Sequence, residues 1–382
     1  MPKPRLLVLQ SHPIQYYAPI FRELQRRGAI DVKVIYLTDA GARAHYDAGF
    51  GQSVQWDIPL LEGYEYEILQ PGSDIIGRTF WQRADSRLLE VAAASASTHV
   101  LLFGYWGRMN WQILQWAHRA GKSVLYMSDS NGRVRRPGWK TAVKTLPLRW
   151  FFSRVARFLS PSEANEAYLH GFGVDPDRVR FMPFAIDVEH FGGQRRETRE
   201  INLLWAGKMT PKKRASDFIA ALLRLRTLPR PALRAMIVGS GQEEPTLRRM
   251  ANVLVADGTL LWEGFVNQAR LPTLLGNADI FVFSSEKEAY GLAATEAAAA
   301  GAALIMADGI GCIGQRTIAQ PGVNALVYPP GDVDALCAAV TALLDDPDRL
   351  KTMQAESRRL AASHSIAEAA RILEATVLEL EA

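Results

Sequence analysis

The chain alternates short, almost unbroken apolar runs with amphipathic stretches of helical period, and it does so twice. "RLLVLQ", "VKVIYL", "HVLLFG" and "SVLYMS" punctuate the first half, each bounded by polar residues or glycine. Continuous apolar runs, unlike alternating ones, mark parallel strands covered on both faces. A helix is expected after the first run, from about Pro19 to Arg27, with proline in its first turn and Gly28 as its stop. The polar stretch "HFGGQRRETRE" reads as a linker, and beyond it the pattern restarts with "INLLWAG", "LRAMIVG", "TLLWEGF", "ADIFVFS" and "AALIMA". Helices are expected between these runs, at 216–225, 244–255, 269–276 and 292–300. Three more close the chain near 333–344, 347–363 and 366–380. Strand–helix alternation in each half predicts an α/β protein of two facing, doubly wound parallel-sheet domains, 1–190 and 191–365.

Composition narrows this picture. With 382 residues, 48% hydrophobic and 22% charged, the chain suits a folded soluble protein of two or three domains. No apolar run approaches the roughly 20 residues that span a bilayer, and the first residues lack the apolar core of a signal peptide. Two cysteines, Cys312 and Cys337, argue for a reducing compartment and hence the cytoplasm. The net charge of +4 says little, but its distribution says more. From Arg133 to Arg157 lie Arg133, Arg135, Arg136, Lys140, Lys144, Arg149, Arg154 and Arg157, with no acid among them. Trp139, Trp150, Phe151 and Phe152 are interleaved. Such a patch suits an anionic membrane surface or a phosphorylated substrate, and equally a solvated helical face over a core. No nucleic-acid motif accompanies it, so nucleic acid is not expected as a partner.

In doubly wound sheets, ligands bind beyond the carboxyl ends of the strands, which makes the residues after each run the ones to read for chemistry. After "INLLWAG" come Lys208, Lys212, Lys213 and Arg214, four cations within seven residues, a cluster whose repulsion a diphosphate would relieve. After "LRAMIVG", Gly239 and Gly241 permit close approach to the backbone; after "TLLWEGF" comes Val266. After "ADIFVF" comes "SSEKEAYGLAATEAAAAG", with Glu288 and Tyr290 before Gly291, and Leu292 and Glu296 beyond it. Gly291 opens a helix whose first amides and dipole form an anion site. Glu288 and Glu296 would then meet opposite ends of one extended ligand.

That segment resembles the signature of the retaining nucleotide-sugar glycosyltransferases of group 1, family 4: E-x-[FY]-G-[LI]-x-x-x-E-A-x-A-x-G. "WAGKMTPKKR" is similar to the family's G-R-L-x-x-x-K-G, with Lys208 in the arginine position and Lys213 in the lysine position. "IVGSGQEEPTL", "FMPFAIDVEHF" and "PGVNALVYPPGDVDALCAAVTALLDD" continue the likeness through the second half. The first half matches weakly, through "SHPIQYYAPIFRELQRRG". The sequence departs from the pattern at Lys208, at Arg214 where glycine is usual, at Phe184–Ala185 where Asn–Gly is usual, and at Gln315 where an acid is common.

The resemblance implies the GT-B fold, with the donor on the second domain, the acceptor on the first, and a final helix (366–382) packed back on the first. It implies transfer with retention at the anomeric carbon and without metal, from a nucleoside-diphosphate sugar whose base is most simply uracil or guanine. No cofactor is implied beyond that co-substrate. Lys208, Lys213 and the Gly291–Leu292 amides would stabilise the leaving diphosphate, Glu288 would orient the sugar and Glu296 the ribose. On the acceptor side the post-strand candidates are His12, Gln15, Tyr105, Asp129 and Asn131. His12 either touches acceptor or diphosphate or caps the next helix, and Asp129 either binds acceptor hydroxyls or holds its own loop. The acceptor is a glycan, lipid or small metabolite, and the basic patch adds peripheral association with an anionic membrane. Two alternatives share the architecture: a non-catalytic sugar-nucleotide-binding subunit and a sugar-nucleotide epimerase.

Overall fold

The computed structural model describes residues 3–74, 78–132, 138–193, 200–227 and 233–381, without the side chains of 138–143. Its strands are β1 (Arg5–Gln10), β2 (Asp31–Thr38), β3 (His45–Asp47), β4 (Gln52–Val54), β5 (Glu65–Gln70), β6 (His99–Phe103), β7 (Ser123–Met127), β8 (Arg157–Ser160) and β9 (Val179–Phe181) in the first half. The second half holds β10 (Ile201–Ala206), β11 (Leu233–Val238), β12 (Leu260–Gly264), β13 (Ile280–Phe283), β14 (Ala303–Ala307) and β15 (Ala325–Tyr328).

Contacts divide the chain into two units: Met1–His45, Ile58–Ala185 and Ile366–Ala382 form one, Tyr46–Asp57 and Ile186–Ser365 the other. Each has its own parallel sheet. The first runs β5-β2-β1-β6-β7-β8-β9 and the second β12-β11-β10-β13-β14-β15. Both are doubly wound: the chain builds outward from β1 or β10, then returns to add strands on the other side. The resulting switch points lie between β1 and β6 and between β10 and β13, where such sheets open a crevice for ligands.

The apolar runs became strands because they are buried on both faces; Leu6 to Leu9 and Ile280 to Val282 are fully covered. Short strands that the pattern did not announce, β5, β8, β9 and β15, lie toward sheet edges or are only partly buried. The expected helix at 244–255 breaks at Ala251 into Glu244–Met250 and Asn252–Ala256. In the first unit, Phe151 and Phe152 of the basic stretch are buried in the core, so they take no part in a surface patch. The last helix, Ile366–Glu379, packs on helix Ala18–Arg27, and Arg27 forms a double hydrogen bond with Glu374 at 3.0 and 2.9 Å.

One segment departs from the sequence reading. Tyr46–Asp57, assigned by position to the first domain, clusters with the second unit. The Ser240 hydroxyl donates to the Phe50 carbonyl at 2.8 Å, and Asn267 Nδ2 donates to the Gln55 carbonyl at 2.6 Å. The Ala269 N–H donates to the Asp57 carboxylate at 3.2 Å. Phe50 also meets Phe265 edge-to-face at 4.9 Å. The β3–β4 hairpin is thereby tied to the loops that follow β11 and β12.

Candidate donor and acceptor sites

In the second unit, Lys213 follows β10 and Glu288 follows β13, so the two sides of the switch point supply one charge each. Their side chains meet, Lys213 Nζ to Glu288 Oε1, at 2.7 Å. The turn carrying the lysine is held from below. The Ser284 hydroxyl accepts the Trp205 indole N–H at 2.9 Å and donates to the Lys213 and Arg214 carbonyls at 3.0 and 2.9 Å. The Glu286 N–H reaches the Lys212 carbonyl at 2.9 Å. Burial pulls the Lys213 ammonium below the ordinary lysine pKa; Glu288 opposes that, and the charges of Lys212 and Lys208 add to it. The structure therefore brings Lys208, Lys213 and Glu288 into one electrostatic neighbourhood.

Gly291 caps helix Leu292–Ala299 at φ 110°, and a Cβ there would lie 2.8 Å from Phe283 Cε1 and 2.9 Å from Ile310 Cγ2. Both the backbone angle and the space demand glycine. The Leu292 and Ala293 amides are among those that an α-helix leaves without intrahelical acceptors, and they open the segment directly after Glu288 and Tyr290. Tyr290 is buried, and its carbonyl accepts the Cys312 N–H at 2.9 Å. Glu296 lies about 6 Å further along the helix axis than Leu292 and is only 3% exposed, not a solvated surface carboxylate.

Two expectations change on inspection. The cation cluster does not stand unneutralised: Asp47 of the hairpin lies 2.8 and 3.1 Å from Lys208 Nζ, Glu288 pairs with Lys213, and Asp217 makes a double hydrogen bond to Arg214 at 2.7 and 3.0 Å. For three of the four cations the protein's own carboxylates supply the anions that the sequence assigned to a ligand. Burial raises the Asp47 carboxyl pKa, but the Lys208 bond and charge and the N–H groups of Gly49 and Phe50 outweigh it and hold it low. Second, the small residues after β11 admit protein backbone. A Cβ on Gly239 would sit 1.9 Å from the Gly207 carbonyl oxygen, and one on Gly241 would sit 2.6 and 2.8 Å from those of Met209 and Gly49. Val266 is half-buried in the loop after β12.

In the first unit, His12 follows β1 at the other switch point. Its Nδ1 lies 2.9 Å from the Ser11 hydroxyl, and helix Ala18–Arg27 begins at Tyr17 without a side-chain cap. Burial, then His45 and Arg83, lowers the His12 pKa to about 4, so its imidazole is neutral at physiological pH. Gln15 is half-buried in the turn that follows. Tyr105 follows β6, and its hydroxyl lies 2.8 Å from that of Tyr168 and accepts a hydrogen bond from Lys144. Asp129 and Asn131 follow β7 on a loop whose Ser130 carbonyl accepts from Asn165 at 2.6 Å. Lys144 and Tyr168 were not named as site residues from sequence; Lys144 was one cation among eight, and Tyr168 carried no signal.

Of the basic stretch, Arg133, Arg135 and Arg136 lie outside the described residues, as does the side chain of Lys140. Arg157 pairs with Glu379 at 2.9 Å, and Arg154 stacks over Trp150 at 3.8 Å. Among the described residues no helix is long and apolar enough to cross a membrane.

Comparison with known proteins agrees with this fold. The fold matches HepE of Anabaena, solved in complex with UDP, with a TM-score of 0.72 at 14% identity over 98% of this chain and all of that one. The chain has the GT-B fold, defined by two Rossmann-like parallel-sheet domains. Residues 188–360 match the family described as "Glycosyl transferases group 1". The match lies within the second unit. The protein is 37% identical to a glycogen synthase of Mycobacterium tuberculosis over 48% of this chain and 44% of that protein. It is 28% identical to an MMP alpha-(1->4)-mannosyltransferase of Mycolicibacterium hassiacum over 57% and 54%. The chain thus spans about half the length of these curated relatives.

Proposed function

We propose that the protein transfers a sugar from a nucleoside-diphosphate donor, with uracil or guanine as base, to a hydroxyl acceptor, with retention and without a metal ion. The observation that carries this reading is the Lys213–Glu288 pair beside the glycine-led helix at the β10/β13 switch point. The partly desolvated ammonium and the helix-end amides are fixed before any ligand arrives. Such preorganised charge stabilises a leaving diphosphate most effectively. When Lys213 turns to phosphate, Glu288 is released to accept hydrogen bonds from sugar hydroxyls, and carboxylates accept paired hydroxyls well. Glu296, set deeper along the helix, is assigned to the ribose. The family match over the second unit and the UDP bound to HepE support the donor class.

The test is release of nucleoside diphosphate from a panel of UDP- and GDP-sugars. Turnover of one donor is expected; binding without turnover across the panel would defeat the enzymatic reading in favour of a silent binding subunit. Peripheral contact with an anionic membrane belongs to the same proposal. Leu146 and Trp150 are 75% and 37% exposed beside Arg149 and Arg154. Sedimentation with vesicles rich in acidic lipid, and not with neutral ones, is the expected result.

A further inference from the structure

In the first unit, no carboxylate among the described residues neutralises the Lys144 ammonium. Lys144 Nζ donates to the hydroxyls of both Tyr105 and Tyr168, the latter at 3.0 Å. It lies 4.7, 5.6 and 5.9 Å from the ring centres of Tyr105, Tyr168 and Trp106. Among the described residues no acid lies within ion-pair distance of it, in contrast to Lys208, Lys213 and Arg214 in the second unit. Phenol oxygens and ring faces solvate an ammonium without cancelling its charge. An ammonium has three N–H groups; two are taken by the phenols, and the third has no acceptor among the described residues.

The surroundings give this charge a setting. Trp106 is 54% exposed and stacks on Tyr105 with centroids 5.9 Å apart and planes 22° from parallel, a flat apolar face next to the charge. Tyr168 sits on helix Glu163–Gly171, whose Asn165 holds the β7 loop through Ser130. That loop bears Asp129 and Asn131, and Asp129 is close enough to raise the pKa of buried Tyr126 together with Tyr105 and Tyr168. Tyr105 and Trp106, which follow β6, and Tyr168 on the helix that braces the β7 loop therefore gather round Lys144.

We infer that Lys144, Tyr105 and Tyr168, flanked by Trp106, form an anion subsite that takes a phosphate or carboxylate carried on the acceptor, with the adjoining sugar ring or apolar chain lying on the indole. This rests on the assignment of the first unit as the acceptor side. It narrows the acceptor from any hydroxyl compound to one bearing a negative charge near the hydroxyl that is glycosylated. Phosphate and carboxylate share the recognising chemistry and are separated by experiment.

Calorimetric titration with glucose 1-phosphate, glucuronate, inorganic phosphate and methyl glucoside tests it, with UDP or GDP present to fill the donor phosphate site. One of the charged probes is expected to bind and methyl glucoside not to. Lys144→Met should weaken the charged probe by about tenfold or more, as loss of a charged partner does, and leave nucleotide affinity unchanged. Tyr168→Phe, which keeps the ring, should weaken it several-fold. Equal affinity in Lys144→Met and wild type, or no charged probe bound while nucleotide binds, overturns the inference. If neither nucleotide binds but a charged probe does so through Lys144, the donor assignment fails and this subsite stands.

Discussion

At the scale of single residues, the proposed donor site is a set of balanced charges. Lys213→Ala removes the cation assigned to the diphosphate and leaves Glu288 facing the ligand. Donor affinity is expected to fall by roughly 2–5 kcal/mol, measured by titration with the nucleoside diphosphate; an unchanged affinity would remove Lys213 from the phosphate site. Arg214 explains a departure from the family pattern. Its φ of 51° is left-handed, the conformation that the usual glycine adopts freely, and its guanidinium donates two hydrogen bonds to the Asp217 carboxylate. His364 carries a pH effect. It is 1% exposed, its Nδ1 lies 3.0 Å from the Leu360 carbonyl, and burial lowers its pKa to about 4. The unfolded chain protonates it near its ordinary value of about 6.5, so below that pH the unfolded state gains protons and stability falls until about pH 4. At pH 5 the loss is on the order of 2 kcal/mol. Urea midpoints at pH 7 and pH 5 should drop more for wild type than for His364→Gln.

At the scale of elements, what could be read from sequence was what local pattern controls. Runs covered on both faces announced nearly all the central strands. β5 and β9, exposed or only half-buried along most of their length, carry no such periodicity. Lys213 and Glu288 were both candidates from sequence, but their contact was not legible, because it depends on β10 and β13 being neighbours. The hairpin was misassigned for the same reason: its partners, from Lys208 to Ala269, lie more than 150 positions away. Asp47 on that hairpin now competes with any phosphate for Lys208. Asp47→Asn should therefore bind nucleoside diphosphate several-fold more tightly, as a removed competitor requires; weaker binding would show that the hairpin builds the site instead of occupying it.

At the scale of the whole molecule, both segments of the second unit, Tyr46–Asp57 and Ile186–Ser365, are inserted between segments of the first. The closing helix buries Ala369, Ala370, Leu373 and Val377 and gives carboxylates to Arg27, Arg157 and Arg180. Deleting Ile366–Ala382 should cost the first unit at least about 3 kcal/mol for Leu373 and Val377 alone. Calorimetry should then show its melting lowered, while added nucleoside diphosphate still raises that of the second unit. Loss of the nucleotide effect would contradict the division into separate cores.

The self-neutralised lysines also bear on kinetics. With Asp47 and Glu288 in place, the charges of Lys208 and Lys213 are balanced, so an approaching dianion gains little long-range attraction from these two lysines. Association rates of nucleotide should accordingly vary only weakly between low and physiological ionic strength. In Asp47→Asn the bared ammonium should restore a steep salt dependence to the forward rate.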